Sequence, residues 1–436
     1  MITQTDSTPL ALDTSLALWE RATRVIPGGS QTNSKRPAAY AFGHYPIYAS
    51  RAEGCRIWDV DGHEYVDYVN ALGPISLGYA YPPVDDAIRQ QLAKGIISGL
   101  LWPLEVEVAE ALVEAIPCAE AVRFFKGGGE ATAAAARIAR AFTGRPVILN
   151  AGYRGWPDTW ATPGNVNGIP VRLKGLVQPF PFDDLPALES LLNANRGDVA
   201  AVFLDIPHSA EVAPGYLQAV QDLAHAHGAL LCYDEIVTGF RLARGGAQEL
   251  HGVTPDLAAF AKAMANGMPL GAVVGRADVM TVCQRIPISL TYGGEALSLA
   301  AAAAVLREYR HHDVIGHLWR VGRRLVDGLN AAAQEHEVAF RATMYPPMAA
   351  TRFDVPPDAL DETWFTFLAA CARRGVLLRR GGLNNVTFSH QDADIDQTLD
   401  ACRGAFRELR DKGLGRATAH AQSPSTPAQQ VGPWRT

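Results

Sequence analysis

Lysine is scarce in this chain. Among 39 lysines and arginines, only Lys35, Lys94, Lys126, Lys174, Lys262 and Lys412 are lysines, so arginine carries most of the positive charge. Charge excess is lacking too: a formal net charge of -6 over 436 residues gives no electrostatic case for nucleic acid or for an anionic membrane surface. No apolar run approaches the roughly 20 residues that span a bilayer. The opening "MITQTDSTPLALDTS" has no basic segment followed by an apolar one, so no secretory signal is expected. The six cysteines (Cys55, Cys118, Cys232, Cys283, Cys371 and Cys402) form no CxxC pair. Scattered through a chain of this length, they read as reduced, mostly buried thiols, and the expectation is a cytoplasmic protein. No metal site is expected: cysteine–histidine ligand spacing is missing, and His311 and His312 point to different sides of a predicted helix.

What is present alternates. "EVEVAEALVEAI" reads as a helix, "AVRFF" as a strand and "EATAAAARIARAFTG" as a helix ending in glycine. "PVILN", "AAVFLDI" and "ALLCYDE" read as strands, and "GYLQAVQDLAHAHG" as the helix between the last two. Strands alternating with helices predict a doubly wound α/β fold with a mainly parallel central sheet. "RIWDVDGHEYVDYV" reads instead as a hairpin turning at Asp61-Gly62. The expected organisation is a large domain over residues 71–317 and a smaller α+β domain built from both ends, residues 13–70 and 318–414. Residues 1–12 and 415–436 read as flexible tails, the second being rich in Ser, Pro, Gln and Ala.

One of the few lysines, Lys262, sits among small apolar residues in "DLAAFAKAMANGMPLGAVVG". An ammonium there is either snorkelling to water or in use as an amine. Asp234 ends the apolar strand "LLCYDE", at the edge where open α/β sheets place ligands. A carboxylate in that position suits a pyridinium nitrogen, and the lysine suits a Schiff base. A structural Asp–Lys ion pair accounts for the same two residues. In "FFKGGGEATAAAARIAR", Gly127, Gly128 and Gly129 lie between a strand and a helix, where backbone amides can hold a phosphate. Lys126 could add a cation, although an exposed turn lysine is the plainer reading. Tyr153, leaving "PVILN", is placed to stack on a planar ring. Phosphate cradle, aromatic, carboxylate and lysine thus follow in order along the chain, a more specific pattern than any one of them.

At this point the chain resembles the class III (fold type I) pyridoxal 5'-phosphate (PLP)-dependent aminotransferases, in the branch that contains glutamate-1-semialdehyde 2,1-aminomutase. "WDVDGHEYVDYVNALGPISLGYAYP", "GGGEATAAAARIARAFTGR", "YDEIVTGFR" and "TYGGEALSLAAA" carry the resemblance. It implies that Lys262 is the Schiff-base lysine and Asp234 the acid on the pyridine nitrogen. It also implies that Tyr153 stacks on the ring and that Gly128 with its neighbours forms the phosphate turn. Thr291 would reach the phosphate of a neighbouring subunit, which implies a homodimer with shared active sites. This chain departs from the family pattern in having Lys126 and three glycines for hydroxyl-bearing residues, Arg154 for histidine, Asp205 for glutamate, and "GGEA" after Thr291. The aminomutase's carboxylate-binding arginine is replaced by "SQTNSKRP", with Lys35 and Arg36 nearby.

The activity expected is transfer of an amino group from an amino donor to a keto or aldehyde acceptor. An aminomutase and a PLP-dependent racemase or epimerase use the same lysine and remain open. So does a nucleotide or sugar-phosphate binder without PLP. Candidate substrate-pocket residues are Trp102, Arg154, Trp156, Lys35, Arg36 and Arg380, each equally accounted for by packing or surface roles.

Overall fold

The computed structural model describes residues 9–160, 168–206, 212–343 and 345–417. Near the N-terminus, Ala49–Glu53 (β1), Arg56–Asp59 (β2) and Glu64–Asp67 (β3) pair antiparallel. The β2–β3 hairpin turns through Asp61 and Gly62, with Gly62 at φ 93°.

The central sheet follows. Its strands are Ala121–Phe125 (β4), Val147–Ala151 (β5), Val177–Pro179 (β6), Val199–Asp205 (β7), Leu230–Asp234 (β8), Leu257–Phe260 (β9) and Gly271–Gly275 (β10). They lie in the order β4-β10-β9-β8-β7-β5-β6. From β6 to β9 all pairings are parallel, whereas β10 runs antiparallel to both β9 and β4. Every residue of β5, β8, β9 and β10 is buried, as unbroken apolar runs require when both sheet faces are covered. The alanine-rich face of helix Gly128–Thr143 (Ala131, Ala134, Ala135, Ala139) lies against β10, β9 and β7, its small side chains letting the helix approach closely. Helix Tyr216–Ala226 packs against β8.

Phe340–Thr343 (β11), Met348–Phe353 (β12), Val376–Leu377 (β13) and Leu383–Asn385 (β14) alternate with helices Val314–Glu335, Pro357–Arg373 and Asp392–Asp411. β11, β12 and β14 form an antiparallel sheet, and β13 joins β3 in parallel, so both chain ends share one sheet. The N-terminal stretch is not loose throughout: Leu10 and Leu12 are buried in the main core, because apolar side chains within reach of it leave water. Gly415 accepts a hydrogen bond from Ala339 N at 2.7 Å, which ties down the other end. The rest of both expected tails, residues 1–8 and 418–436, lies outside the described residues. None of the helices described is long and apolar enough to cross a membrane.

Candidate active site

The C-terminal edge of the parallel strands collects the charged residues. Asp205 ends β7, Asp234 ends β8, and the two are Cα partners in register. Asp234 is buried; its Oδ1 accepts Ile236 N at 3.1 Å. Burial raises its pKa to about 6 against the pull of Arg154, with Asp205 pushing further up and the Ile236 N–H and Lys262 pulling down. Asp205 is raised as well, by burial, with Arg154, Lys262 and the Tyr153 N–H opposing.

Lys262 opens the short 3-10 turn Lys262–Ala265 directly after β9. It is partly buried and holds φ 46°, a left-handed conformation that costs a lysine about 1–2 kcal/mol. Strain of this kind persists only where surroundings impose it. Here they do: Asn266, also left-handed at φ 45°, accepts from Ser76 N at 3.1 Å and Leu77 N at 3.0 Å and donates to Gly78 O at 2.9 Å. Burial holds the amine below its ordinary pKa. Asp234 and Asp205 oppose that shift, while Arg241 and Arg379 reinforce it. The result is an amine that gives up its proton more readily than a surface lysine.

The glycine turn stands beside this edge. Gly127 is the N-cap of helix Gly128–Thr143, and a Cβ on Gly128 would come within 2.6 Å of Ile236 Cδ1. A side chain there would require Ile236 to move, so glycine lets the turn seat closely against the segment that follows Asp234. The free amides at the helix start face an anion naturally. Lys126 is not the exposed turn lysine expected. It is partly buried, and its Nζ meets Glu295 Oε2 at 2.8 Å. Glu295 also caps helix Ala296–His311 by accepting Leu297 N at 2.6 Å and Ser298 N at 3.2 Å.

The substrate candidates disperse. Arg154 turns inward: its side chain has no exposed surface, with Nη1 3.6 Å from Asp234 Oδ2 and 3.8 Å from Asp205 Oδ2. The expectation that it faces substrate is corrected by this burial. Arg36 crowds the Gly28 turn, Arg380 pairs with Asp361, and Lys35 is exposed. Trp102 is partly buried at the start of helix Pro103–Ala115. Tyr153 and Trp156 are 75% and 87% exposed, and Thr291 lies on the surface. Arg379, whose charge acts on Lys262, was not singled out from the sequence; its only signal was adjacency to Arg380 in "LLRRGG".

An amine held below its usual pKa, a buried carboxylate and a cradle that a Cβ would fill, all at one sheet edge, fit pyridoxal phosphate. The fold and this donor set define a fold type I PLP enzyme. The Aminotransferase class-III family matches residues 39–406, and the chain belongs to that family. It is 35% identical to glutamate-1-semialdehyde 2,1-aminomutase of Syntrophobacter fumaroxidans over 432 residues, covering 92% of this chain and 98% of the relative. It is 34% identical to 3-aminobutyryl-CoA aminotransferase of Cloacimonas acidaminovorans, again covering 92% and 98%. Among solved structures, the PLP internal aldimine form of the FumI protein of Sphingopyxis sp. MTA144 superposes with a TM-score of 0.87 at 31% identity, covering 92% of this chain and 97% of that one.

Proposed function

We propose that the protein is an aminotransferase in which Lys262 is the covalent anchor and the proton carrier, and Asp234 is the acid beneath the cofactor ring. Gly127, Gly128 and Gly129 with the helix amides would hold the phosphate, and Asp234 would face the pyridine nitrogen. Bound PLP supplies an electron sink for the carbon that bears the amine. The chain's own residues do the rest. Burial keeps Lys262 Nζ able to accept a proton from that carbon and return it. The closely packed edge around Ile236 and the glycine turn keeps water from Asp234. The observation that carries this reading is the left-handed, partly buried Lys262 facing the charges of Asp234 and Asp205.

The acceptor is inferred to be a keto or aldehyde compound and the donor a small amine. An aminomutase is the second reading, favoured by the relative of that name. Against it stands the loss of the arginine expected after "PGG", since Lys35 is exposed and Arg36 is committed to the Gly28 turn. Tyr153 would be the ring-stacking aromatic and Thr291 the residue lent to a second subunit's phosphate, which supports a homodimer. The six free cysteines favour a cytoplasmic enzyme.

The test is a titration of the loaded enzyme with a panel of amino donors, following the cofactor absorbance and the keto product together. A donor that changes the absorbance and releases its keto product stoichiometrically supports transfer. Absorbance changes without release, alongside isotope exchange in the substrate, would support the mutase. Lys262→Ala should abolish both the lysine-linked absorbance and turnover, by on the order of 10³-fold or more. Retention of that absorbance would refute the assignment.

A further inference from the structure

Two carboxylates side by side at a buried sheet edge repel each other, and such pairs ordinarily keep one proton between them. Asp205 and Asp234 are such a pair, and burial raises the pKa of both. Arg154 is the cation set against them. Its guanidinium is held in place by its own turn, with Nη1 donating to Tyr153 O and Nη2 to Ala151 O, both at 2.6 Å. Thr132 Oγ1 donates to Arg154 O at 3.1 Å, tying that turn to the helix that starts at the glycine cradle. Gly152 makes the approach possible: at φ 102°, a Cβ there would stand 2.5 Å from Asp205 Cβ and 3.3 Å from Arg154 Nη1.

We propose that Arg154 is a positioning residue that keeps Asp205 and Asp234 ionised together and, through Asp234, moderates how firmly the cofactor's ring nitrogen holds its proton. This rests on the reading of Asp234 as the acid beneath the ring. An arginine carries its charge at every working pH, whereas a histidine in its place would carry one only below about 6.5. Among the described residues, Lys262 from the turn after β9 and Cys232 from β8 also face the cluster, with Arg241 and Arg379 acting on Lys262 from further out. Of these only Arg154 is an obligatory cation within 4 Å of both carboxylates among the described residues.

The experiment is a charge cycle read by absorbance against pH in the PLP-loaded enzyme, with PLP affinity of the apoenzyme as a second readout. Arg154→Met should move the lysine-linked spectral transition upward by about one pH unit and weaken PLP binding about tenfold. Arg154→Lys should restore most of both, and Arg154→His should behave like wild type in acid and like Arg154→Met in alkali. Asp205→Asn, which removes a negative charge and is smaller in its structural demand, should move the transition downward. The double variant Arg154→Met/Asp205→Asn should return it toward wild type. A transition unmoved in Arg154→Met that still folds and binds PLP would overturn the proposal, as would an unmoved transition in Asp205→Asn. If instead wild type itself shows no Lys262-dependent absorbance, the reading of the site fails rather than the role of Arg154.

Discussion

Lys126 and Glu295 form an ion pair, Nζ to Oε2 at 2.8 Å, that joins the glycine turn to the cap of helix Ala296–His311. Both side chains are mostly enclosed, so solvent screens the pair only in part. The glycine turn has no hydroxyl side chain to hold a phosphate, so the position of its amides matters more. Lys126 N also donates to Glu130 Oε2 at 2.9 Å, which sets the turn from its other side.

Lys126→Met should therefore loosen the phosphate turn while leaving the Glu295 cap intact. PLP affinity of the apoenzyme is expected to fall about tenfold, a loss on the scale of one charged hydrogen bond. Thermal stability should change little, because the Leu297 and Ser298 N–H groups and the Ser298 hydroxyl still donate to the Glu295 carboxylate. Equilibrium dialysis against PLP, alongside a melting curve, separates the two effects. Unchanged affinity would mean the pair serves the helix and not the cradle.

Asp234 carries a pH dependence whose sign follows from its environment. Its folded-state pKa, about 6, lies above that of an unfolded aspartate, so the native apoenzyme binds that proton more tightly than the unfolded chain. Its contribution to stability is therefore fullest at low pH and is lost as pH rises from about 4 to about 6, by about 3 kcal/mol. Asp234→Asn lacks this loss. Urea denaturation of the two apoenzymes at pH 4.5 and 7 should show the variant gaining on wild type at the higher pH. Equal differences at both would show that Asp234 titrates normally.

Exposed apolar side chains lie on the segment of Thr291 and on the segment hydrogen-bonded to it. Leu100 and Leu101 are 83% and 84% exposed, Tyr292 is 58% exposed, and Ala296 N donates to Ile96 O at 2.8 Å, which joins the two segments. In the proposed homodimer, a second copy covering this face would remove them from water, and Thr291 would be the residue lent to its phosphate. Replacing Leu100 and Leu101 together with glutamate should convert a dimer to monomers in sedimentation velocity and lower PLP retention with it. Thr291→Ala should lower retention without dissociating the dimer. A wild-type protein that sediments as a monomer would remove the basis for both.

The sheet was legible because its strands are short apolar runs bounded by turn residues: "AVRFF" is β4 residue for residue, and "PVILN" and "ALLCYDE" miss β5 and β8 by one position at each end. The direction of β10 was not, since "GAVVG" reads the same whichever way the strand runs. Lys262 and Asp234 stood out because charge within apolar flanks needs a reason. The partners that shape them did not. Glu295 lies 169 residues from Lys126, and Asp205 meets Asp234 only once strand order is known. Arg154 was misplaced toward substrate because chain position does not say which way a turn side chain points.

Arg241 shows the same limit and yields the largest stability effect. Its side chain is wholly buried and, among the described residues, is ringed by backbone carbonyls: Val386 O at 2.9 Å and Pro347 O at 3.3 Å on Nη1, Gly73 O at 3.0 Å and Ile75 O at 3.1 Å on Nη2. Burial lowers its pKa to about 10, so the charge is retained at neutral pH. Those four carbonyls come from three separate stretches of chain, and the Gly73–Ile75 stretch leads into the residues that hold Asn266 and, through it, the Lys262 turn. Arg241→Met keeps the volume but leaves the four acceptors without their donor. A loss of about 3–5 kcal/mol is expected, read by chemical denaturation of the apoenzyme. If the arginine only fills space, methionine should cost less than about 1.5 kcal/mol. If it positions the Lys262 turn, the variant that still folds should also bind PLP more weakly and show a broadened cofactor absorbance.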